Sequence, residues 1–138
     1  MSVCSQCGFE LWRPIAELEV ADLGLYSDER FPGRCILKLR EHRERLEELP
    51  EELLLAFHRD LRRASEAIRS VTGSQRVNFA VLGNTVPHLH GHLIPRIPEN
   101  EPKPGSSPWD DPRPRVTLLG SEAKRIVAEL QAILGSSS

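Results

Sequence analysis

Residues 85–95 read TVPHLHGHLIP, with His88, His90 and His92 at every second position of an otherwise apolar run. Along an extended strand the side chains alternate faces at a rise of about 3.3 Å per residue, so the three imidazoles share one face about 6.6 Å apart. Leu89, Gly91 and Leu93, and to some extent Ile94, fall to the other face and serve a core. Gly91 leaves a gap there, where a backbone or a ligand can come close. Imidazole changes charge near neutral pH and serves as nucleophile, general acid or metal ligand. The chain has five histidines. Three of them on one strand face argue for a shared chemical task rather than polar filling of a solvent face.

Outward from this run, strands are expected near Leu23–Ser27, Arg34–Leu39 and Val77–Leu82, besides Leu89–Ile94. ERFPG, residues 29–33, reads as the turn of a hairpin between the first two. In PEELLLAFHRDLRRASEAIRSVTG, residues 50–73, Leu53, Phe57, Leu61, Ala64, Ile68 and Val71 recur at steps of three and four, which predicts a long helix with one buried stripe. Pro50, Glu51 and Glu52 suit its start and Gly73 its end. A second helix follows Ser121, the expected N-cap, and carries Ile126, Val127, Leu130, Ile133 and Leu134. Between strand and helix, RIPENEPKPGSSPWDDPRPR, residues 96–115, is too rich in proline for helix or central strand and reads as a functional surface loop. Trp109 in that loop is a candidate lid or stacking residue. The order predicts an α+β fold, an antiparallel sheet with helices segregated to one face, in a single domain over residues 1–138. Residues 1–18 form an N-terminal arm in this reading, and the final GSSS a frayed end.

The chain length of 138 residues fits one core, and a net charge of −2 without a basic run excludes nucleic-acid binding by bulk electrostatics. No stretch approaches the 18 apolar residues of a membrane span, so no membrane partner is expected. MSVCSQCGFELW at the start lacks the pattern of an export signal, and three cysteines then point to a reducing cytoplasm. Cys4 and Cys7, in CSQC, stand at the two-residue gap that lets two thiolates reach one ion. His42 and His88 are the candidates for the remaining two ligands. Cys35, inside an apolar strand, reads as a small buried hydrophobe, and His58, among charges on the long helix, as structural.

HLHGHLIPR, residues 88–96, resembles the histidine triad signature His-φ-His-φ-His-φ-φ, where φ is apolar. The resemblance extends upstream through FPGRCILKLREHRERLEELPEEL and RVNFAVLGNTVPHLHGH, covers about residues 20–100, and is nearest to the bacterial diadenosine tetraphosphate hydrolase-like branch. Gly91 departs from the pattern, which bears on substrate shape. The resemblance implies an enzyme, a nucleotide hydrolase or nucleotidyl transferase for a dinucleoside polyphosphate or a nucleoside phosphoramidate, working through a nucleotidyl-histidine. It implies His90 as the nucleophile, with His88 and His92 orienting it, protonating the leaving group or contacting phosphate. It implies Thr85, Asn84 and Asn78 near the phosphates, Asp28 at the ribose, and a homodimer through the long helix and the adjacent strand. Zinc-bearing relatives resemble the set Cys4, Cys7, His42 and His88, which implies a structural zinc that the chemistry itself does not require. The alternatives are a nucleotide-binding module with little turnover, and nucleotidyl transfer to phosphate or a sugar phosphate. A metal hydrolase with all three histidines on one ion lacks the carboxylate or further histidine that would complete an open site.

Overall fold

A computed structural model describes residues 3–135. Five strands, β1 (Arg13–Glu17), β2 (Ala21–Leu25), β3 (Cys35–Leu39), β4 (Arg76–Ala80) and β5 (His90–Arg96), form one antiparallel sheet in the order β1-β2-β3-β5-β4. Two helices, α1 (Glu51–Thr72) and α2 (Gly120–Leu134), pack against it and against each other. The α+β architecture expected from the order of elements is the one observed.

Alternation in the strands decides which face is which. Ile15, Leu23, Leu25, Leu37, Leu39 and Leu93 point to the helices and join Phe57, Ala64, Ile68, Ile126 and Leu130 in the buried core. Asp22, Gly24, Ile36, Lys38, His90 and His92 take the opposite face by the same alternation. Ile94 alternates onto that face too, and is buried outside the core cluster.

Four differences from the sequence reading have physical causes. β1 was not expected, because RPIAE is short and carries Pro14; proline is tolerated here since β1 is an edge strand, with a register irregularity between Pro14 and Ala16. The chain therefore enters the sheet within what was read as an arm. β5 starts at His90, and His88 lies on a bend before it, its N–H donating to the carbonyl of Val86 at 2.9 Å. Only two imidazoles thus share the strand face, while the third turns elsewhere. Leu119, not Ser121, occupies the N-cap position of α2, without a side-chain cap. The gap at Gly91 is filled: a Cβ there would stand 2.0 Å from Cε1 of Phe79 on β4. This glycine makes room for the Phe79 ring of the neighbouring strand on the core side, so it does not shape the histidine face.

α1 ends as expected, with Gly73 in the left-handed region at φ 70°. Its buried Asp60 accepts from the backbone N–H groups of Glu19, Val20 and Ala21 at 2.8–3.0 Å, tying the β1–β2 turn to the helix. The Pro-rich segment contains two single 3-10 turns, Pro98–Asn100 and Pro108–Asp110, and no other regular element. The expected frayed end lies outside the described residues beyond Gly135. No helix among the described residues is long and apolar enough to cross a membrane.

Candidate active site

The histidine face of the sheet floors a cavity of about 520 Å³. His90 and His92 stand in it with ring centroids 5.5 Å apart. Phe9, Leu11 and Trp12 wall it from the N-terminal arm, Ile36 from the sheet, and Tyr26, Arg34 and Trp109 from the far end. The loop at Leu82–Val86 closes the remaining side and brings in Asn84 and Thr85, both exposed and without a hydrogen-bonded side-chain partner among the described residues.

Acceptor geometry fixes the hydrogens on the rings. His90 Nδ1 lies 2.6 Å from the carbonyl oxygen of His88. A carbonyl only accepts, so Nδ1 carries the hydrogen and Nε2 keeps its lone pair. Burial holds His90 below the ordinary imidazole range, against the hydrogen bond to His88, so the ring is neutral at neutral pH. The ring edge of Phe9, at a centroid distance of 4.9 Å, confines it. His92 has the opposite arrangement. Arg34 Nη2 donates to its Nδ1 at 3.0 Å, which leaves the hydrogen on Nε2. Burial, the Arg34 charge and His90 push His92 down to about 4. Two adjacent rings therefore present a lone pair and an N–H, respectively, into one cavity.

His88 is fully buried and faces another way. Its Nε2–H donates to the Leu39 carbonyl at 2.6 Å, which leaves Nδ1 with a lone pair 3.3 Å from Cys7 Sγ and 3.2 Å from His42 Nδ1. Cys4 Sγ lies 3.5 Å from the same His42 nitrogen. All four ligand atoms lie within 4.8 Å of one another. Tetrahedral zinc with bonds of about 2.0 Å to nitrogen and 2.3 Å to sulfur spaces its ligands by roughly 3.3–3.8 Å. The cluster's three contacts of 3.2, 3.3 and 3.5 Å lie close to that spacing. Its donor chemistry fits as well: burial works to raise the Cys4 thiol, but the backbone at Gln6 and Cys7 and the side chains of Cys7 and His42 bring it down to about 6, so a thiolate is available at neutral pH.

The expected site residues thus divide. His90, His92, Thr85 and Asn84 meet at the cavity, and Cys4, Cys7, His42 and His88 meet beside it. Asn78 does not reach the cavity: its Oδ1 accepts from Arg96 Nη1 at 2.7 Å, and it lines a separate pocket. Asp28 does not line it either. Its carboxylate is fully buried under Arg30 and Arg34, which outweigh burial and hold it below the usual carboxylate range. Arg96, the last residue of β5, is engaged by Glu101 at 2.7 Å. Phe9, Leu11, Trp12, Tyr26 and Arg34 escaped the sequence reading. Arg34 left a signal, a charged residue opening an apolar strand, that could have marked it.

A profile of the HIT domain matches residues 25–99. A histidine triad protein from Marinobacter aquaeolei VT8 is 28% identical, with 88% of each chain covered and a TM-score of 0.77. One from Sinorhizobium meliloti 1021 is 23% identical over 88% of this chain and 89% of its own, with a TM-score of 0.79. A zinc-bound histidine triad family protein from Mycobacterium smegmatis is 20% identical over 86% and 84%, with a TM-score of 0.63. No curated protein matches the sequence.

Proposed function

The chain belongs to the HIT family, and from that premise we propose that it is a nucleotide hydrolase or nucleotidyl transferase whose covalent intermediate forms on His90. One observation carries the reading: His90 Nδ1 is bound to the His88 carbonyl, so a neutral ring turns its Nε2 lone pair toward a cavity of nucleotide size. In the first step Nε2 bonds to the α-phosphorus while the bond from phosphorus to the leaving group breaks. Water then attacks the adduct, the P–N bond breaks, its electron pair returns to Nε2, and a proton passes to solvent. Splitting one displacement into two is the gain of covalent catalysis. His92 Nε2–H and the free hydroxyl and amide of Thr85 and Asn84 supply donors for the phosphoryl oxygens. The apolar wall of Leu11, Trp12 and Ile36 suits a nucleobase.

Cys4, Cys7, His42 and His88 would hold a structural zinc, whose chemistry there is to crosslink the N-terminal arm to the approach of β5. The zinc-bound relative from Mycobacterium smegmatis supports this reading. Through Phe9 and Trp12 the same crosslink would hold one wall of the cavity. Reduced cysteines of this kind suit the cytoplasm. A homodimer through α1 and β4 is supported by Leu55, 46% exposed on α1, and by β4 lying at the edge of the sheet with Val77 and Phe79 only partly buried.

Replacing His90 with Asn tests the catalytic claim, because Asn can still donate to the His88 carbonyl but offers no nucleophile. Turnover of dinucleoside polyphosphates should fall by about 10³-fold or more while nucleotide affinity stays within about threefold. Turnover that survives the substitution rejects the reading.

A further inference from the structure

We propose that Arg34 locks His92 in a form that offers a hydrogen bond but does not release a proton, and that the site therefore selects substrates whose leaving group departs as an anion, phosphoanhydrides over phosphoramidates. The inference rests on the nucleotidyl-transfer reading and narrows its substrate class.

Arginine has donors and no acceptor, so the 3.0 Å contact from Nη2 obliges His92 Nδ1 to present its lone pair. The guanidinium is itself held. Its Nη1 bonds to Asp28 Oδ2 at 2.9 Å, Tyr26 lies over it at 4.1 Å and Trp109 at 5.4 Å, and the residue is 4% exposed. Arg30 takes the same carboxylate, donating to both of its oxygens. Two guanidinium groups sharing one carboxylate leave a surplus positive charge beside His92. Among the described residues, His92 meets the charged or aromatic groups of Arg34, His90, Tyr26 and Trp109, and none of these is a carboxylate that would favour an imidazolium.

The consequence for the first step follows from electron counting. When His90 Nε2 bonds to the phosphorus of an anhydride, the pair of the breaking P–O bond stays on the bridging oxygen. The leaving phosphate departs as an anion, met by the His92 Nε2–H, and no proton changes hands. In a phosphoramidate the pair would go to nitrogen, which needs a proton to leave. His92 would have to give up its Nε2 hydrogen and become an imidazolate, which leaves solvent to supply the proton. A general acid accelerates such steps by about 10²–10⁴-fold, and this site withholds one.

The test uses the purified protein with a diadenosine tetraphosphate and an adenosine 5′-phosphoramidate, alongside nitrogen-15 NMR of the imidazoles. The wild type should prefer the anhydride by about 100-fold in kcat/KM, with hydrogen on His92 Nε2. Arg34→Met frees His92 to take a second proton, so it should shrink that preference by about tenfold or more and mix the tautomers, whereas Arg34→Lys, still a pure donor, should keep both. If Arg34→Met fails to fold with Asp28 buried, Asp28→Asn with Arg34→Met replaces it. A His92 hydrogen on Nδ1 in the wild type, or cleavage of the two compounds within about threefold, overturns the inference while leaving nucleotidyl transfer standing. Cleavage of neither overturns both.

Discussion

Two imidazoles that differ in which nitrogen carries the hydrogen do most of the chemical work assigned to this molecule. His90 and His92 are both imidazoles on one strand face, yet a carbonyl beside one and a guanidinium beside the other give them opposite hydrogen placements. This sets a pH signature. His92 titrates at about 4 in the folded protein and near 6.5 unfolded, so between those values the unfolded chain binds more protons. Stability contributed at this site should therefore fall as pH drops from about 6.5 to 4 and level off below. Urea melts at several pH values for the wild type and His92→Asn check it: the substitution should flatten that slope. At Gly91 the decisive atom is an absent one. Gly91→Ala brings Cβ onto the Phe79 ring and should cost about 1–3 kcal/mol by overpacking, with Phe79→Leu in the same chain restoring part of the loss. Equal melting temperatures for wild type and Gly91→Ala would contradict the packing account.

At the scale of elements, what was legible followed from periodicity. α1 was readable because its apolar residues keep a helical step to the end, where Gly73 stops it. β3 and β5 were readable because their apolar runs stand between turn residues. β1 hid behind a proline and a length of five residues. The run of three histidines reads as one strand, because strict alternation hides the bend at His88; the ligand set of Cys4, Cys7, His42 and His88 was legible, but not that His88 must leave the strand to join it. Arg34 was invisible as a partner of His92: they are 58 residues apart and meet only once β3 pairs with β5. The Pro-rich loop was readable as a loop but not as a fixed one. Arg113 binds Asp111 and the Asn100 carbonyl, and Glu101 binds Arg96 and the Ile97 N–H, so Trp109 is held at the cavity edge. Asp60 is the comparable tie between α1 and the β1–β2 turn. Asp60→Ala strands three backbone donors near the core and should destabilise the fold by about 2–4 kcal/mol in urea. A loss under about 0.5 kcal/mol would mean that the turn finds other partners.

Across the whole molecule, the sheet separates two tasks: one face packs the helices and the other carries the cavity, with the N-terminal arm folded over it. The arm rests on the Cys4, Cys7, His42 and His88 cluster, so metal content and cavity shape should vary together. A strong chelator should remove about one zinc per chain, lower the melting temperature by about 3–5 °C for each kcal/mol lost, and weaken nucleotide binding as Phe9 and Trp12 loosen. Metal analysis that finds no zinc in protein grown with it would remove this part of the account. The assembly is checked by light scattering, which should give twice the chain mass of 15.5 kDa. The central claim remains the bond that His90 makes. Acid-free rapid quenching of the protein with a diadenosine polyphosphate, followed by peptide mass spectrometry, should show an adenylyl group on the peptide containing His90 and none on that peptide in His90→Asn. An adduct on a different residue, or turnover with no adduct at any quench time, would contradict it.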